Sequence, residues 1–283
     1  MAQRLPVLLL MRTTKLSGTR DWNGLILRVL AIPLIMFIVL PLIALLIQVP
    51  FSDFVQILRD GQVLKAVTLS LGTCTISTFV TILAGTPLSY YLARHHSRFT
   101  TILDTVIDLP TVLPPAVAGV ALLIAFGRRG LVGGYLAGLG VSIPFTQIAV
   151  IMAQTFVASP FFVKAAVIGF SNVDRELLQA AALDGANHWQ AFRYITLPLA
   201  GFSILSGSVM TWARALGEFG ATIIFAGNFP GRTQTMPLAI YVGFEIDLKT
   251  ALTLSFILIC FSFVTLIAVK LLLSRFVELE KKN

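Results

Sequence analysis

Gln179-Ala180-Ala181-Ala182-Leu183-Asp184-Gly185, followed after nine residues by Ile195-Thr196-Leu197-Pro198, is the stretch on which the fold turns. Glu176 to Asp184 is rich in Ala and Leu, which are strong helix formers, and predicts a short helix. Gly185 permits the left-handed turn that ends a helix. Ala186 to Tyr194 predicts a second short helix, and Pro198 opens the next apolar run. Two short helices in a polar loop make a rigid knob. Its small residues let the groove of another protein approach the backbone. The plainer alternative is an amphipathic connector lying on a membrane surface.

Working outward, the knob sits between long apolar runs. A spanning helix needs roughly 20 apolar residues. Six segments qualify: Val29 to Gln48, Ala66 to Ala93, Asp104 to Phe126, Phe145 to Phe170, Leu199 to Gly227 and Leu248 to Leu273. The third is interrupted by Pro110, Pro114 and Pro115, and the fourth contains Pro160. The expected fold is therefore an all-α membrane protein of about six transmembrane helices. Composition agrees: of 283 residues, 57% are hydrophobic and 12% charged, and the mean hydropathy is +0.89. Soluble domains carry about 25% charged residues, so a soluble enzyme, a nucleic-acid binder and a disordered chain are excluded.

The formal charge is +8. With the N-terminus inside, fourteen basic residues fall on inner segments: Arg4, Arg12, Lys15, Arg20, Arg28, Arg94, Arg98, Lys164, Arg175, Arg193, Lys270, Arg275, Lys281 and Lys282. Six fall outside: Arg59, Lys65, Arg128, Arg129, Arg232 and Lys249. Arg214 lies within a span. This positive-inside bias places both termini in the cytoplasm. Pro6 to Met11 is too short for a signal-peptide core, and no small-residue cleavage site precedes the first span. Residues 1–28 then read as a basic cytoplasmic tail, 29–275 as the transmembrane domain and 276–283 as a cytoplasmic C-terminal tail.

Cys74 and Cys260 lie in apolar segments and give no disulfide framework. His95, His96 and His188 lack metal-ligand spacing, so no metal site is expected. No GxxxxGK phosphate loop is present, so ATP hydrolysis is not expected of this chain, nor is any bound cofactor or catalytic residue.

Three further motifs stand out. In Arg214-Ala215-Leu216-Gly217-Glu218-Phe219-Gly220-Ala221-Thr222, Arg214 and Glu218 are four apart and can pair on one helix face. Buried charge in a membrane is costly and usually faces a bundle interior or a water-filled path. An internal ion pair that fixes packing is the plainer reading. The functional one is a translocation path in which Arg214 offsets an anion and Glu218 holds Arg214. Gly217 and Gly220 allow close helix contact or a bend. Asp108-Leu109-Pro110-Thr111-Val112-Leu113-Pro114-Pro115 predicts a kinked or broken helix beside that path. Asp104 and Asp108 are expected close to the inner interface. Gly227-Asn228-Phe229-Pro230-Gly231-Arg232-Thr233-Gln234-Thr235-Met236-Pro237-Leu238 is a cluster of turn formers and, alone, would mean only a surface loop.

Together these stretches resemble a known family. The knob matches the cytoplasmic loop of ABC importer permeases: EAA, three residues, G, nine residues, I, any residue, LP. Ala180, Ala181, Gly185, Ile195, Leu197 and Pro198 fit. Gln179 replaces the usual Glu, losing a charge but keeping length and hydrogen-bonding capacity. The stretches RALGEFGAT, GNFPGRTQTMPLAIY and DLPTVLPPAVAG look like the molybdate branch of the molybdate/sulfate/tungstate permeases, over about residues 28 to 275.

That resemblance implies a type I importer permease in a prokaryotic inner membrane. It implies a homodimer of permease chains, two ABC ATPase subunits that carry ATP and Mg, and an extracytoplasmic oxyanion-binding protein. No nucleic-acid partner is implied. The loop with Gln179, Ala180, Ala181, Leu183, Asp184, Gly185, Ala186, Trp189, Ile195, Leu197 and Pro198 would couple to the ATPase. Arg214, Gly217, Glu218, Pro114 and Pro115 would border the path. A sulfate or tungstate permease of the same architecture is the alternative. An ATP-independent secondary transporter is a weaker one, because it would leave the Gly185 loop without a task.

Overall fold

The computed structural model describes residues 22–280. Among them the chain is helical, without a strand. It divides after Gln48 into two units. The first is α1 (Trp22–Gln48), 27 residues long, with Pro33 and Pro41 inside it. Its stretch from Arg28 has a mean hydropathy of 3.0. The helix begins within the segment expected to be a tail. Residues 1–21 and 281–283 lie outside the described residues, and with them most of that tail and the end of the C-terminal one.

The second unit opens with α2 (Phe54–Leu58) and α3 (Gly61–Arg94). Next come α4 (Arg98–Val112), α5 (Pro115–Phe126), α6 (Gly133–Gly138) and α7 (Gln147–Ser171). The knob contributes α8 (Arg175–Leu183) and α9 (His188–Ala191). After it come α10 (Leu197–Leu216), α11 (Gly220–Phe225), α12 (Met236–Ile246) and α13 (Leu248–Glu280). Among the described residues, five helices are long and apolar enough to span a membrane, six if the bent pair α4 and α5 counts as one span.

The core is organised around α7, which enters all three buried clusters. It packs antiparallel to α10 through small residues. A Cβ on Gly169 would meet Ser203 and Ala200, one on Gly207 would meet Ala165 and Phe162, and Thr211 Oγ1 donates to Ala158 O at 3.4 Å. Lipid offers no hydrophobic drive between helices, so such close small-residue packing is how membrane helices associate. Large apolar side chains such as Phe79, Leu83 and Phe263 stay exposed, as a bilayer-facing surface requires.

The third span, expected as a kinked or broken helix, is broken. α4 and α5 meet at 117°, and α5 has only 12 residues. Pro110 sits inside α4, whereas Leu113 and Pro114 are extended (ψ 135° and 132°) and Pro115 starts α5. The fifth span is shifted: a continuous helix runs from His188 to Leu216 and stops before Gly217. The turn-rich outer motif is a surface loop only in its first part: Pro230, Gly231 and Arg232 are exposed, and the chain then turns inward. Thr233 and Thr235 are fully buried, α12 follows, and Met236 N–H donates to Ser70 Oγ at 2.7 Å. α13 also runs as helix to Glu280, into the segment read as a tail.

Candidate functional site: the knob and the α5–α11 junction

The knob is built by caps. Asp174 accepts from Glu176 N–H and opens α8. At the other end Gly185 takes φ +88°. Gly185 N–H donates to Ala182 O at 3.1 Å and Ala186 N–H to Ala181 O at 2.9 Å, the paired bonds of a Schellman ending. Asn187 and Gln190 then form a reciprocal capping box at 2.8 Å each, which starts α9. α9 continues through a π turn over Phe192–Thr196 into α10. The two short helices foreseen are thus one free helix and the first turn of a span.

Gln179, Ala180, Leu183, Asp184, Gly185 and Trp189 are all exposed, while Ala181 and Ala186 are half-buried. Leu183 is 90% exposed and Trp189 65%. Two large apolar side chains are thus held out from a capped knob and belong to no buried cluster. Ile195 and Leu197 are half-buried and Pro198 exposed at the start of α10.

The structure brings the other two motifs together. α10 ends at Leu216 with Gly217 as its cap, and the chain turns into α11. A Cβ on Gly220 would stand 2.7 Å from Pro115 Cβ, and one on Gly119 2.8 Å from Ala221 O. Pro115 therefore adjoins the Arg214–Glu218 segment. Pro114 is the extended residue just before it. Gly217 serves the bend, with only Ala213 O near its Cβ direction, at 3.9 Å.

Glu218 has a side chain 1% exposed. Its Oε1 accepts from Ala221 N–H at 2.9 Å, at the start of α11, and its Oε2 lies 2.8 Å from Arg214 Nη1. The Arg214 side chain is 30% exposed, so the pair joins a buried carboxylate to a partly exposed cation. The i, i+4 pairing expected of these residues is present, although Glu218 lies just beyond the helix end.

Two polar features escaped the sequence reading. Lys164 Nζ, on α7, lies 2.8 Å from carboxylate oxygens of both Asp104 and Asp108 on α4. Asp104 and Asp108 are thus tied to a neighbouring helix while both side chains stay exposed. Their i, i+4 spacing was a usable signal, but their partner is remote in sequence. Gln154 is 1% exposed, and neither of its amide atoms has a partner among the described residues. The α7–α10 register, with Ala158 opposite Thr211, places it level with Ala215, the residue after Arg214.

Residues 85–278 match the family described as "Binding-protein-dependent transport system inner membrane component". The molybdenum transport system permease protein ModB of Mycobacterium tuberculosis is 41% identical over 229 residues, covering 81% of this chain and 87% of that protein. Its namesake in Escherichia coli is 39% identical over 187 residues, covering 66% and 81%. A bacterial ABC transporter involved in import of the acidic polysaccharide alginate shares the fold, with a TM-score of 0.71 at 18% identity, covering 90% of this chain and 95% of that one. With a helical span bundle, a capped knob and a family match over more than half its length, this chain belongs to the inner-membrane permease components of binding-protein-dependent transport systems.

Proposed function

We propose that this chain is the permease subunit of an ATP-driven importer for a tetrahedral oxyanion, with molybdate as its cargo. The knob carries this reading. It is a rigid, capped protrusion rooted in α7 on one side and, through the π turn, in α10 on the other. A partner that moves the knob therefore moves two core helices. The proposed partner is an ABC ATPase subunit, which holds ATP and Mg. Leu183 and Trp189 supply the apolar contact.

The cargo assignment is supported by relatives named for molybdenum transport. The proposed assembly pairs two copies of this chain with two ATPase subunits and an extracytoplasmic oxyanion-binding protein. Both termini lie in the cytoplasm in this reading, in keeping with the fourteen-to-six distribution of basic residues. Arg214, Gly217, Glu218, Pro114 and Pro115 border the path. Arg214 offsets anionic charge there, and Glu218 fixes it in place.

Uptake of labelled molybdate in a strain lacking the gene, with and without the wild-type copy, tests the assignment. Restored molybdate uptake is expected. Restoration of sulfate uptake alone would overturn the cargo. Gly185→Trp should abolish co-purification with the ATPase, and survival of both complex and transport would overturn the coupling role.

A further inference from the structure

The end of the molecule opposite the knob holds a basic pocket. Arg128, after α5, and Arg232, after α11, line one cavity of about 560 Å³. Ser142, Thr146, Gly127 and Phe145 complete much of its wall. The two arginines are 104 positions apart in sequence and arrive from separate loops. Both are exposed, and neither has a carboxylate within ion-pair distance among the described residues. A third cation stands nearby: Lys65 Nζ is 3.8 Å from the Cβ position of Gly231, next to Arg232.

Like charges gathered without a counter-charge repel, and a bound anion removes that cost. The guanidinium is suited to the task, because its fork of donors matches two oxygens at once. Thr146 caps α7 with its hydroxyl, accepting from Ala149 N–H at 3.3 Å, so the positive end of a 25-residue helix opens on the same cavity. The wall is held firmly. Phe145 adopts φ 62°, donates its N–H to Phe225 O at 3.3 Å and sets its ring edge-on to Phe229.

Location gives the pocket a role. α7 separates it from the knob by about 37 Å, one membrane thickness. α5 and α11 connect it to the buried pair: Pro115 and Gly220 meet beside Glu218, whereas Gly127 and Phe225 lie at the pocket end. Two cationic stations thus stand at the two ends of one packed helix pair.

We propose that the Arg128–Arg232 pocket is an acceptor site for a tetrahedral oxyanion dianion, taken up here before it passes toward Arg214. This rests on the import reading above. The test uses the intact chain assembled with its ATPase. Equilibrium binding of labelled molybdate is measured without any binding protein, in wild type, in Arg128→Gln/Arg232→Gln and in Arg128→Lys/Arg232→Lys. Wild type is expected to bind, with sulfate competing and chloride at equal ionic strength not competing. The Gln pair should lose at least about tenfold in affinity, and the Lys pair, which keeps the charge but not the fork, should recover only part of it.

Unchanged binding in the Gln pair, no binding in wild type up to millimolar anion, or displacement by chloride would each overturn the site. Loss of binding-protein docking with direct anion binding intact would overturn it as well, assigning the arginines to that protein's carboxylates. Because the binding arm needs no turnover, a wild type that binds but transports no oxyanion would count against the import reading and not against the pocket.

Discussion

Gly185 and Gly119 are glycines for opposite reasons. At Gly185 the backbone has φ +88°, and nothing lies within 4 Å of an added Cβ. At Gly119 the same Cβ would meet Ala221 O and Ile224 Cβ at 2.8 Å. The knob is therefore held by conformation and caps and keeps its side chains free. The α5–α11 junction is held by contact and has no room. One region presents a surface; the other is a tightly closed joint.

The sharpest way to break that contrast is Glu218→Ala. It leaves the Ala221 N–H without its acceptor and the part-exposed Arg214 without its counter-charge. Leaving a buried donor unsatisfied costs about 1–3 kcal/mol, and more where a charge loses its partner as well. The thermal midpoint of the purified chain in detergent should fall strongly. A shift no larger than that of a surface variant would mean that the junction is not closed.

Gly119→Leu comes next. The obstructing atoms include backbone, which cannot rotate away, so the cost should approach the upper end of about 1–3 kcal/mol for overpacking. Gly185→Val should be milder, about 1–2 kcal/mol from the left-handed backbone alone, with Gly185→Asn milder still. Equal losses for Val and Asn would show that contact, not conformation, selects glycine there. Transport should nevertheless fall more in Gly185→Val than its stability loss explains, because the knob is misaimed.

The smallest effect belongs to a third region, outside both. Asp53 is held below the ordinary carboxylate range by its hydrogen bond to Lys249 Nζ at 2.6 Å and by that ammonium's charge. Asp247 is lowered by the Thr250 hydroxyl, with a smaller part from Lys249. A folded-state pKa below the unfolded one stabilises above the ordinary carboxylate range, and the gain disappears as pH falls through the lowered value. A modest fall in the thermal midpoint below about pH 4 is expected. Asp53→Asn should flatten part of it, and an unchanged pH profile would sever the link to this pair.

The knob was the more legible of the two main regions. Its ending needs only local chemistry: a glycine, two caps and a helix former, all within a few residues. The Arg214–Glu218 pair was legible for the same reason. The junction was not, because its content is contact between α5 and α11, a hundred positions apart. Pro114-Pro115 does carry the information. An X-Pro pair disfavours helix before it and favours a helix start after it. Read as a kink or a break in one span, it located the break but not its 117° angle. The burial of Thr233 and Thr235, and the Lys164 contacts to Asp104 and Asp108, likewise depend on partners that no local pattern announces.

The π turn between α9 and α10 has its own consequence. Leu197 N–H bonds back to Phe192 O and Thr196 Oγ1 to Ala191 O, each five residues away. A five-residue repeat carries one residue more than an α turn, equivalent to about 100° of rotation. The knob and the span are thus one shaft cut at two phases. The face that carries Trp189 and the face that α10 turns to the core are therefore indexed separately. Removing one residue from Phe192–Thr196 would bring the shaft into register and point the same knob, still folded, in the wrong direction.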